Sequence, residues 1–252
     1  MHAEPVRSQI RISVVMFALT VSAGAIDAVT FLGLGRALAA LATGNVLLLG
    51  FGVANAPGIT IARPAEALAA FVAGVAAAHA VIVPVIGRGR RWFVVALAGE
   101  VGVIAAAGVY ATAVSGTQSL PEHARVIVVV LLASAMGWRN RAMAEAAIPD
   151  MPTTVMQASL ISALTDALSF RSGAARAPAL ARARRAATIL GVFTGGATGA
   201  LLLRLGPGPA VLVIAGFEAC VAALYARAPR LRPPTTDAQT SAAGPQGVRP
   251  SG

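Results

Sequence analysis

Residues 12–34, ISVVMFALTVSAGAIDAVTFLGL, form an apolar run of 23 residues in which Asp27 is the one ionisable side chain. A helix rises about 1.5 Å per residue, so such a run is long enough to cross a hydrocarbon core of about 30 Å. Comparable runs recur at 64–87, 92–114, 126–148, 186–205 and 208–226, separated by arginine clusters or by Pro/Gly turns. A soluble domain has no use for six such segments. The bulk numbers agree: 57% of the residues are hydrophobic, 12% are charged, and mean hydropathy is +0.76. The chain therefore reads as an all-α polytopic membrane protein.

The net charge of +10 has a topological meaning in such a chain. Every basic residue is an arginine, the arginines cluster between apolar runs, and no aromatic residues interleave with them. That pattern marks cytoplasmic loops and reads against a nucleic-acid partner. Counting short loops puts the basic leader 1–11, residues 88–91, 171–185 and 227–232 on the cytoplasmic side, with 115–121 and 206–207 outside. Two further segments, 37–54 and 152–170, are interrupted by polar residues. If either crossed fully, an arginine cluster would be carried outside. The expectation is therefore six crossings plus two re-entrant or broken helical segments, with both termini cytoplasmic. A cleaved signal peptide ending at Ala23-Gly24-Ala25 competes with this reading, but the apolar run continues beyond it. The transmembrane domain covers 12–226 in halves of about 12–114 and 123–226. Residues 227–252, rich in Pro, Thr, Ser and Gly, read as a disordered tail.

The halves begin on opposite sides, so they read as inverted 3+3 repeats. A weak internal match agrees: Gly24 and Asp27 stand three apart, as do Gly137 and Asn140, and Gly44-Asn45 and Ala158-Ser159 follow at similar distances. Polar groups in apolar spans are the candidate site, because hydrocarbon penalises them heavily. Asp27, Thr43, Gly44 and Asn45 in the first half, and Asn140, Gln157 and Ser159 in the second, are candidates for a substrate or ion pathway. Glu100, Asp166 and Glu218 are weaker candidates. Each has a plainer reading as a group that satisfies a broken helix or pairs with an arginine. Arg139 and Arg141 read as cytoplasmic-end residues able to snorkel or to neutralise Asp166. Trp92 and Phe93 read as an interfacial anchor. Gly191, Gly195 and Gly199 mark a smooth helix-packing face. Cys220 stands alone, so neither a disulfide nor a cysteine metal site forms within the chain, and no metal or cofactor is expected.

Ala23-Gly24-Ala25-Ile26-Asp27-Ala28 with Phe31-Leu32, then Ala42-Thr43-Gly44-Asn45 with Leu47-Leu48-Leu49-Gly50, resemble the DUF1275 (YoaK-like) family of bacterial membrane proteins. Met136-Gly137 with Asn140, and Thr153-Thr154, extend the resemblance, which spans about 20–225. It implies an integral inner-membrane protein of six or seven helices.

Three functions are weighed. Paired polar breaks with ionisable groups at membrane depth point to a small-molecule or ion transporter. The same residues serving stability alone point to a membrane scaffold or partner-binding protein. An enzyme is not expected, since no His-Glu-x-x-His pair, paired-Asp motif or Ser nucleophile with a partner His is present. The expected partners are the lipid bilayer and a small molecule or ion; oligomeric state, a homo-oligomer included, stays open.

Overall fold

The computed structural model describes residues 6–87, 92–115, 120–146, 164 and 179–227. Among them the chain is helical, with no strand: α1 (Val6–Val29), running into a π-helical turn (Thr30–Gly35), α2 (Ala42–Val53), α3 (Ala62–Gly87), α4 (Trp92–Ser115), α5 (Glu122–Ala146), α6 (Ala179–Leu202) with a 3-10 turn (Leu203–Leu205), and α7 (Pro207–Ala226). Six helices are long and apolar enough to span a membrane; α2, with 12 residues, is not. This is the all-α membrane architecture expected from the sequence. The first helix begins at Val6, within the segment read as a leader, while its membrane-length part starts at Ile12. Apart from Leu164, the 152–170 segment lies outside the described residues, as does the tail beyond Arg227.

Two buried clusters mark the two ends of the bundle. Ile12 and Met16 of α1, Ile82 of α3, Trp92 and Phe93 of α4, Ala142 of α5 and Tyr225 of α7 form one. At that same end Arg184 Nε of α6 donates to Ser13 Oγ of α1 at 2.9 Å. The ends of α1, α4 and α6 meet the starts of α3, α5 and α7 at the opposite end. There Arg63 pairs with Glu122, and added side chains on Gly33 and Gly208 would meet Leu203 and Thr112. An even number of crossings follows, with the first and last described residues at the Trp92 end. Trp92 and Phe93 are not an interfacial anchor. Both are buried, and Phe93 stacks edge-on against Trp92 and Tyr225 with centroids 5.4 and 5.0 Å apart, because α7 covers the start of α4.

In lipid, apolar side chains gain nothing by leaving one apolar phase for another, so helices associate where small residues allow close approach. The pairs α1–α6 and α3–α5 are built this way. A Cβ added to Gly195 would lie 2.1 Å from the Val21 carbonyl oxygen, and one on Gly199 2.4 Å from that of Ala25. On the other pair, Gly74 would meet the Ser134 oxygen and Gly137 the Phe71 oxygen, each at 2.0 Å. The Gly191/Gly195/Gly199 face is thus a packing face against α1. Large side chains that point away from such seams, Phe193 and Leu201 among them, are exposed and available to lipid.

Candidate functional site

After the π-helical turn the chain leaves the helix, turns inward and returns on the same side. Arg36 is left-handed (φ 57°), and its amide donates to Phe31 O at 3.1 Å to close the turn. Residues 37–40, outside any helix, carry the chain back to place Ala40 beside Asp27. The helix α2 then climbs about 18 Å, too short to cross a core of about 30 Å. Its end packs Gly52 against Ile61, and Arg36 NH1, on the way in, donates at 2.9 Å to Gly58 O, on the way out. The first interrupted segment is therefore re-entrant, opening at the Arg63 end.

Main chain that leaves a helix inside a bilayer must find new hydrogen-bond partners, each unmade bond costing several kcal/mol. Asp27 and Asn45 supply them. The Asp27 carboxylate accepts from the Ala40 amide at 2.7 Å and also faces the amides of Ala39 and Leu41. Asn45, fully buried, accepts from Leu38 N at 2.9 Å and donates to Leu38 O at 2.5 Å. Gly44 lets α2 start against Leu38, since a Cβ there would meet the Leu38 side chain at 2.5 Å, while Thr43 is exposed.

A second polar centre lies deeper. Arg139 of α5 is 2% exposed, and Glu100 of α4 and Glu218 of α7 are each 1% exposed. Arg139 donates to both carboxylates. Its NH1 also donates to Leu19 O at 2.8 Å and to Ser22 Oγ at 3.0 Å, both on α1. The three charges stand about 10–12 Å in from the Trp92 end of their helices, so four spans converge on one guanidinium. Burying an ion of this kind is costly unless it is paired and fully hydrogen-bonded, and Arg139 is both. The carboxylates are less completely served: among the described residues Glu218 Oε2 has no hydrogen-bond partner. In formal charge the triad is one positive charge short of neutrality. Asp27, part-buried, lies five residues beyond Ser22 on α1, so the same helix carries both polar centres.

Asp27, Gly44 and Asn45 therefore come together around residues 38–41, with Thr43 left exposed, and Arg139 joins Glu100 to Glu218. Asn140 does not join either group; its Nδ2 donates at 3.0 Å to Met136 O of its own helix. Gln157, Ser159 and Asp166 lie outside the described residues. Arg139 neither snorkels nor awaits Asp166, as the sequence suggested, but turns inward onto Glu100 and Glu218. The signal that finds it is a simple charge inventory: a mid-span arginine and two mid-span glutamates on three different apolar helices must meet. Arg141, two residues on, lies toward the helix end, donating to Glu145 at 2.6 Å and to His79 Nδ1 at 3.3 Å.

No curated protein and no solved structure is similar enough to the chain to count as a match. Residues 15–224, nearly all of the helical bundle just described, do match a family, and the chain belongs to it: DUF1275, described as a protein of unknown function.

Proposed function

We propose that this protein moves a small molecule or ion across a bacterial inner membrane, with the buried triad of Glu100, Arg139 and Glu218 as its coupling site and Asp27 on the neighbouring stretch of α1 as part of the same pathway, and that it does not act as an enzyme. The observation that carries this reading is the triad. A buried ion cluster contributes little stability beyond that of an apolar cluster of equal volume. A centre with two carboxylates to one guanidinium is instead suited to take up and release a proton or a small cation. The re-entrant segment beside it supports the same reading, because transporters use broken helices at membrane depth to present backbone groups to a substrate.

An inverted-repeat architecture is the usual frame for such a site. Two observations support it here. Gly24 and Gly195 each face the carbonyl three residues before the other, those of Val192 and Val21, on the parallel pair α1–α6. Gly137 and Gly74 do the same with Phe71 and Ser134 on the parallel pair α5–α3. Matching α1 with α5 and α3 with α6 relates one pair to the other, and α4 with α7 to themselves. Glu100 and Glu218 then sit at related places on either side of Arg139. Arginine distribution orients the frame: 88–91, 171–185 and 227–232 follow or precede helix ends at the Trp92 end, which we place in the cytoplasm together with both termini.

A membrane scaffold or partner-binding protein is the second reading, favoured by the way residues 38–41 occupy Asp27 and Asn45. Purified protein in liposomes separates the two. Uptake of a panel of ions and small solutes, followed with an internal pH dye and an imposed pH gradient, is expected for the wild type and is expected to be lost in folded Glu100→Gln and Glu218→Gln proteins. Uptake that persists in both variants, or is absent from the wild type across the panel, overturns the transport reading.

A further inference from the structure

The charge rule that orients the bundle leaves one group of arginines unexplained. Arg36, Arg63 and Arg125 gather at the Arg63 end, where few basic residues are expected. Arg63 is accounted for: it is buried and donates to Glu122 and, at 3.3 Å, to Glu66. Arg36 and Arg125 are not. Together with Phe31, Gly33, Gly35 and Ile59 they line a cavity of about 470 Å³. Each is tethered to main chain by one bond, Arg36 NH1 to Gly58 O and Arg125 Nε to Leu120 O, both at 2.9 Å. One bond fixes a guanidinium and leaves the rest of its donors to face outward. The nearest carboxylate to Arg125, that of Glu122, stands 4.0 Å away and is already held by Arg63. The cluster thus holds three guanidiniums to two carboxylates, the reverse of the imbalance at the centre.

The backbone around the cavity is also unusual. One wall is the π-helical turn, a form frequent at functional sites, and it ends on a non-glycine residue, Arg36, in left-handed conformation next to Gly35 at φ 129°. Arg36 itself is exposed and lines the cavity. Apolar side chains such as Phe31 and Ile59 beside charged groups are the makeup of a small-ligand pocket, and guanidiniums select carboxylate or phosphate oxygens.

We infer that the cavity between Arg36 and Arg125 binds a small anionic group, a carboxylate or a phosphate, at the Arg63 end of the bundle. The site stands apart from the coupling site and does not depend on transport. A dissolved anion and the headgroup of an acidic lipid offer the same chemistry, and one experiment distinguishes them. The full chain is placed in nanodiscs of pure phosphatidylcholine and titrated with inorganic phosphate and with succinate at constant ionic strength. In parallel, phosphatidylglycerol and phosphatidylcholine retained after detergent exchange are counted by native mass spectrometry. Saturable binding of either dissolved anion, weakened tenfold or more by Arg36→Gln and by Arg125→Gln, establishes a soluble ligand. Selective retention of phosphatidylglycerol by the wild type over the double variant establishes a lipid headgroup. If the double variant does not fold, Ile59→Glu, which sets a competing carboxylate in the cavity, takes its place and is expected to abolish binding. Wild-type behaviour in the folded variants in both arms overturns the inference.

Discussion

The amide of Ala40 donates to the carboxylate of Asp27 at 2.7 Å, joining the lowest point of the re-entrant segment to the middle of the first span. Asp27→Ala is expected to leave that amide and its neighbours without acceptors, at about 1–3 kcal/mol for each buried group left unpaired. Asp27→Asn keeps one acceptor oxygen and is expected to lose less. Melting of the purified proteins in detergent checks the order, which would be wrong if alanine and asparagine proved equally stable.

Asn45 serves both polar groups of Leu38, so Asn45→Ala orphans a donor and an acceptor at once. A loss of about 2–4 kcal/mol is expected, summing about 1–2 kcal/mol for each group. The damage should be local. In a Cys220→Ser background, Leu38→Cys is expected to become more reactive to a thiol reagent once Asn45 is replaced, while Ala142→Cys, in the cluster at the opposite end, is not.

The glycine seams give a sharper contrast. Gly195→Ala and Gly137→Ala set a methyl about 2 Å from a carbonyl oxygen of the facing helix and are expected to destabilise by about 1–3 kcal/mol or more. Nothing lies within 4 Å of a Cβ placed on Gly102 or Gly216. Alanine there removes only the entropic penalty of a helical glycine, about 0.5–1 kcal/mol in the stabilising direction. A common melting temperature for all four variants would show that these faces do not carry the packing.

Arg139→Met leaves Glu100 and Glu218 facing each other without a counter-charge, and a loss of about 3–5 kcal/mol is expected, seen as depleted membrane protein. The triple variant Glu100→Gln/Arg139→Met/Glu218→Gln is expected to recover most of that stability, since residues sharing one network are not additive. It should accumulate in the membrane and show no uptake. Uptake at the wild-type rate by the triple variant would remove the triad from the coupling site.

Single cysteines in the Cys220→Ser background map the topology. Positions 57 and 118 are expected to label from outside intact cells, and 89 and 173 only after permeabilisation. Labelling of 57 and 118 from opposite sides would mean that α2 crosses the membrane, in conflict with the Arg36–Gly58 contact.

The sequence alone determined the membrane class and the six spans, because length and apolarity suffice to satisfy backbone hydrogen bonds inside a helix and side chains inside lipid, with no reference to any neighbour. It also marked the first re-entrant segment, since Asp27 and Thr43-Gly44-Asn45 interrupt an apolar run and the arginine clusters leave no room for another crossing. The seam at Gly191/Gly195/Gly199 was visible in its spacing of four. What only the tertiary structure decided is which groups meet. Trp92 has the composition of an interfacial anchor and is buried because α7 lies over it. Arg139 stands close enough to a helix end to snorkel, yet points at Glu100 and Glu218, because α1, α4, α5 and α7 converge there. Depth along a helix is written in the chain; the direction in which a side chain faces its neighbours is set by helix packing, where small residues allow contact at many registers and only the sum of them selects one.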